Sequence, residues 1–77
     1  MIKETNILEW FRKGCKDELY GSSSVFSDIE IENQAYSLGA KLAGEGKVKK
    51  TDKLTDENIY WLIANYDFER RFLNVKK

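Results

Sequence analysis

Phe26-Ser27-Asp28-Ile29-Glu30-Ile31-Glu32-Asn33-Gln34-Ala35-Tyr36-Ser37-Leu38-Gly39-Ala40-Lys41-Leu42-Ala43-Gly44-Glu45-Gly46 is the stretch that decides the fold. Ser27 and Glu30 have the spacing of a capping box, in which a hydroxyl and a carboxylate satisfy the N–H groups at a helix start. Phe26 and Ile31 stand at the two positions of a hydrophobic staple around that box. Ile31, Ala35, Leu38 and Leu42 then recur at helical spacing, and the Gly44/Gly46 pair supplies the stop. The spacing predicts a helix over 28–43. Ala35, Gly39 and Ala43 form a stripe of small residues along it, which lets a second helix come close.

Towards the N-terminus, Asn6-x-x-Glu9 makes a weaker capping box. Apolar residues follow at Ile7, Leu8, Phe11, Cys15 and Leu19, and Gly21 ends the run, which predicts a helix over 7–20. Gly14 inside it costs about 1 kcal/mol against alanine, so its place calls for a reason. Close packing against the small-residue stripe is the simplest. Towards the C-terminus, Thr55 is an N-cap, Leu54 and Ile59 can staple, and Ile59, Leu62, Ile63 and Tyr66 form an apolar face. Phe68, Phe72 and Leu73 continue that spacing, which predicts helix over 56–73. Asn65-Tyr66-Asp67 is poor in helix formers, so an interruption before Phe68 is the alternative. The expected fold is all-α: one compact domain over 1–77, with three helices, or four if the last is broken.

Composition bounds the rest. Seventy-seven residues, 42% hydrophobic and 13% aromatic, suffice for one core near the lower size limit. Pairing of two copies over leftover aromatic surface is a further route to stability at this size. Lys+Arg and Asp+Glu are both 13, which argues against a general nucleic-acid binder. The first 40 residues nevertheless carry an acidic excess and the remainder a basic one. No apolar run approaches the roughly 20 residues of a membrane span, and the N-terminus does not read as a signal peptide. A lone cysteine, Cys15, fits a reducing compartment, so a cytoplasmic location is expected. With no histidine, the chain has no ready general base near neutral pH and no familiar metal cluster. Neither a cofactor, a metal nor an enzymatic activity is expected.

The main functional candidate is the linker Gly44–Lys53. With Lys41 it gathers five lysines (Lys41, Lys47, Lys49, Lys50 and Lys53) against Glu45 and Asp52, on a segment loosened by glycine. Flexible lysines suit phosphates or an acidic protein surface; the plainer reading is a solvated linker. Gly46-Lys47 is not a phosphate loop, because Lys41 stands where that motif needs a glycine and Val48 where it needs serine or threonine. Tyr60 and Trp61 follow the linker. Since Ile59, Leu62 and Ile63 already fill the helix face, one of the pair is expected to point outward; the alternative is that both tuck under the linker. Arg70, Arg71, Lys76 and Lys77 make the C-terminus basic. The carboxylate pairs Asp17-Glu18 and Glu30 with Glu32 read as solvated, and Cys15 as an inert core residue.

From Phe11 to Ala43 the chain reads FRKGCKDELYGSSSVFSDIEIENQAYSLGAKLA. The spacing of Gly14 and Gly21, the aromatic Phe26 ending the loop, and Tyr36 three residues before Gly39 give it a resemblance to the ribosome modulation factor group of small bacterial proteins. That resemblance implies two short helices packed closely at Gly14, Gly21, Tyr36 and Gly39, and an association with the small ribosomal subunit. The stretch departs from the family in carrying more acid than base, in lacking the proline of the connection, and in having Ala40 where a second aromatic is usual.

The sequence therefore points to a small non-enzymatic module that occupies a surface of a larger protein partner, as a regulator or inhibitor. Accessory and phage-type regulators are often built this way. The expected contact residues are Tyr60, Trp61, Lys47, Lys49, Lys50 and Arg71, with aromatics as anchors and cations for steering. The alternative is a ribosome- or RNA-associated factor that uses the lysine linker.

Overall fold

Among the described residues, two of the three helices begin on the side-chain oxygen that the sequence singles out. In the computed structural model, which describes residues 6–21 and 26–67 together with 70 and 72, Asn6 accepts the Glu9 N–H at the start of α1, Ile7–Tyr20. Thr55 accepts the Asn58 N–H at the start of α3, Asp56–Tyr66. Gly21 closes α1 in the left-handed conformation, φ 72°, with its N–H on the Asp17 carbonyl.

α2, Glu30–Gly44, starts later than the capping box predicts. Its N-cap is Ile29, which has no side-chain oxygen to offer. Ser27 serves a turn ahead of the helix instead: its hydroxyl donates to Glu32 and accepts the Ile29 N–H, while its backbone exchanges two hydrogen bonds with the Asn33 side chain. Nor is there a staple, because Phe26 stands 81% exposed. Glu32, which reads as a solvated carboxylate, is only 5% exposed, and its second oxygen accepts the Asn6 N–H at 2.8 Å. One buried carboxylate thereby ties the start of α1 to the start of α2.

The small-residue stripe does what its spacing implies. A Cβ on Gly14 would lie 2.1 Å from the Tyr36 carbonyl oxygen, and one on Gly39 would lie 2.3 Å from that of Phe11. Only glycine fits either position, which accounts for its cost in mid-helix. The contacts advance together along both helices, from Asn6 with Glu32, through Trp10 with Tyr36 and Phe11 with Gly39, to Glu18 beside Gly44. α1 and α2 therefore run in the same general direction. The Tyr36 hydroxyl donates to Asp17 across the seam, and the Trp10 ring meets Tyr36 edge-on.

α3 approaches the backbone of α1 but not that of α2. Ile59, Leu62 and Ile63 join Phe11, Cys15, Ala35, Leu38 and Leu42 in one core, and Phe72 closes it. The predicted extension of α3 to 73 is not made. The helix ends at Tyr66, since Asp67 turns the chain: its carboxylate accepts the Phe72 N–H and its carbonyl accepts that of Arg70, which sits at φ 58°. A short acidic side chain that captures a later backbone N–H competes with helix continuation. The result is that Phe72 folds back into the core instead of riding on α3. Leu73 and Val75 lie outside the described residues.

Candidate functional site

The lysine linker opens with a helix-ending motif. Gly46 takes φ 83°, its N–H donates to the Ala43 carbonyl at 3.1 Å, and the Lys47 N–H donates to Leu42 at 2.9 Å. This paired pattern is a Schellman motif, and the positive φ explains the glycine. The turn sends Val48 into the core, where it is 1% exposed. Beyond it, the Lys49 N–H donates to the Asp52 carboxylate and the Asp52 N–H returns to the Lys49 carbonyl. The segment expected to be loose is thus pinned at Val48 and closed at Asp52. The sequence carries no core signal for Val48, because one apolar residue among lysines has no periodicity.

The pinned linker sends its lysines to different places. The Lys47 ammonium is 3.6 Å from Glu45 and lies over the Tyr66 ring, 5.7 Å from its centre. Tyr66 meets Trp61 edge-on at 6.3 Å. Of the two aromatics expected to compete for the outside, Trp61 is the exposed one, at 59%, and Tyr60 is half-buried. Lys47, Tyr66 and Trp61 therefore form one patch on α3. The Lys50 ammonium lies 5.0 Å from the centre of the exposed Tyr20 ring on α1. Lys49 and Lys50 together line a half-enclosed cleft of about 230 Å³ against Arg12, Lys16, Leu19 and Leu54. The residues expected to act together are divided between these two patches, and Arg71 lies outside the described residues.

Arg12 is the residue of this region that sequence reasoning missed. Its Nε donates to the Leu54 carbonyl at 2.9 Å, one terminal nitrogen pairs with Asp56 at 2.9 Å, and the other with Glu9 at 3.1 Å. It is a cleat that holds the start of α3 against α1, and the planar guanidinium suits that forked task. The only sequence signal is its position on α1 on a different face from Phe11 and Cys15. Lys16, Lys49 and Lys50 differ from it, since among the described residues no carboxylate comes within ion-pairing reach of them.

Cys15 is fully buried, donates weakly to the Gly39 carbonyl, and has its thiol pushed up by desolvation from 9.0 to about 12. It is a core residue and stays a thiol at neutral pH. Among the described residues no helix is long and apolar enough to cross a membrane. Comparison with protein-family models, with curated proteins and with solved structures finds no match to this chain.

Proposed function

We propose that this chain is a non-enzymatic binding module that regulates or inhibits a larger protein by occupying part of its surface. The observation that carries this reading is Trp61: a large aromatic left 59% exposed on a folded helix, next to half-buried Tyr60 and edge-on to half-buried Tyr66, the ring over which Lys47 lies. Exposed tryptophans on ordered elements are the usual anchors of protein interfaces, since they bury much area at little entropic cost. The sealed Cys15 thiol and the missing histidine agree with a role in binding rather than chemistry. A cytoplasmic setting and an accessory or phage-type origin belong to the same reading.

Capture of the tagged chain from host lysate, with and without nuclease, tests this, with Trp61→Ala run beside the wild type. The expected result is a protein partner that survives nuclease and is lost with Trp61→Ala. Ribosomal proteins that disappear on nuclease treatment, unaffected by that substitution, would overturn it in favour of a ribosome- or RNA-associated factor.

A further inference from the structure

The cleft between α1 and the linker collects more positive charge than the surrounding fold uses. Arg12 is engaged by Leu54, Asp56 and Glu9, and the Asp52 carboxylate accepts the Lys49 N–H. That leaves the ammonium groups of Lys16, Lys49 and Lys50 around a space of about 230 Å³. Their bases are set: Lys16 rides on α1, and Lys49 and Lys50 follow the buried Val48 on a closed turn. Between the cations the walls are Leu19, Leu54 and the Tyr20 ring, with Asp52, whose carboxylate is held by the Lys49 N–H, as the one acidic residue of the lining. The volume is below the usual range for a small-molecule pocket and matches a side chain or two.

We propose that this cleft docks an acidic, apolar peptide segment of the partner protein, with carboxylates meeting Lys16, Lys49 and Lys50 and an apolar side chain resting on Leu19, Leu54 and Tyr20. The proposal rests on the protein-partner reading above and adds to it a second contact, separate from Trp61. Charge complementarity selects an anion, and the apolar walls select a peptide over a bare ion. A nucleic-acid backbone is disfavoured because sequence-independent binding draws its strength from the number of phosphates that Lys and Arg neutralise along the strand. Three lysines around one cleft, one of them already over the Tyr20 ring, neutralise few phosphates on a chain of zero net charge.

The test is an NMR titration of the isotopically labelled full chain with three probes: a hexapeptide that alternates glutamate with leucine and phenylalanine, a hexaglutamate peptide, and a ten-nucleotide oligouridine. The alternating peptide is expected to shift Lys16, Tyr20, Lys49, Lys50 and Leu54 resonances saturably and to bind more tightly than hexaglutamate. Both the exposed charge reversal Lys16→Glu and the double variant Lys49→Glu/Lys50→Glu should weaken it about tenfold or more, with unchanged circular dichroism. Equal binding of the two peptides, tighter binding of the oligouridine, or no shift up to about 1 mM peptide overturns the proposal. Trp61→Ala separates the two readings. If the cleft alone is misread, the hexapeptide fails to bind while capture still depends on Trp61; if the partner reading is wrong, capture fails whatever the peptide does.

Discussion

The α1–α2 pair and the region from Val48 to Phe72 are held together in opposite ways. In the pair, backbone lies on backbone: Gly14 and Gly39 bring each helix against the other's carbonyl groups, with no room for a single carbon. In the second region, separate side chains act as fasteners. Val48 pins the linker, Arg12 cleats the start of α3, and Asp67 folds Phe72 back into the core. A seam of the first kind tolerates almost no change in shape. Fasteners of the second kind fail one at a time; the exposed Trp61 belongs to the part they hold, and the lysine cleft lies where that part meets α1.

The largest effect should come from filling the seam. Gly14→Ala or Gly39→Ala places a methyl group within 2.1 or 2.3 Å of a carbonyl oxygen that cannot rotate away. The strain outweighs the gain of about 1 kcal/mol in helix propensity, and a net loss of about 3 kcal/mol or more is expected in chemical denaturation. Gly44→Ala sharpens the contrast. Its Cβ would meet only the flexible Glu18 side chain, at 3.3 Å, so its effect should stay within about 0.5 kcal/mol. Equal losses at all three glycines would show that close approach of backbone to backbone is not what makes the seam intolerant.

A smaller loss is expected at a fastener. Val48→Ala removes two buried methyl groups' worth of area and should cost about 2 kcal/mol. Amide exchange should then accelerate in the linker and α3 more than across the α1–α2 seam. Uniform acceleration would show that the two regions open as one unit.

The smallest effect concerns pH. Burial holds the Cys15 thiol at about 12 in the folded chain, against 9.0 as its reference. Between those values the unfolded chain gives up the proton and the folded chain keeps it. Folding therefore binds the extra proton, and stability present below pH 9 is lost as pH rises. Going from pH 8 to pH 10 should cost about 1 kcal/mol through this group. Cys15→Ala should flatten the decline, as followed by denaturation at each pH; parallel curves for the two proteins would remove the effect.

The sequence showed the parts that rest on short-range chemistry. Asn6 and Thr55 cap where their spacing says, and the small-residue stripe at Ala35, Gly39 and Ala43 marks the seam. Where two partners compete for one side chain, spacing alone does not decide the outcome. The Ser27 hydroxyl has both Glu32 and the backbone within reach, so α2 starts at Glu30. Asp67 competes with the next helical turn and wins, so α3 stops early. The candidate site was visible as a set of residue types but not as an arrangement. Lys47 and Lys50 are three residues apart, yet the burial of Val48 between them sends one to Tyr66 and the other to Tyr20. Nor does helical spacing reveal that α1 and α2 run the same way, since it carries no information on direction.

That shared direction has an electrostatic consequence. Each helix presents about half a positive charge at its start and half a negative charge at its end, and in a parallel pair these add where an antiparallel pair would cancel them. At one end, the single carboxylate of Glu32 answers both helices, lying in the first turn of α2 while accepting the N–H of Asn6. At the other end the two negative poles fall on the same side of the pair, where the Asp17, Lys41, Leu42 and Ala43 carbonyls accept N–H groups from the chain that follows each helix. Cations are favoured there, and the linker supplies them, with Lys47 just past the end of α2 and Lys50 against Tyr20 at the end of α1.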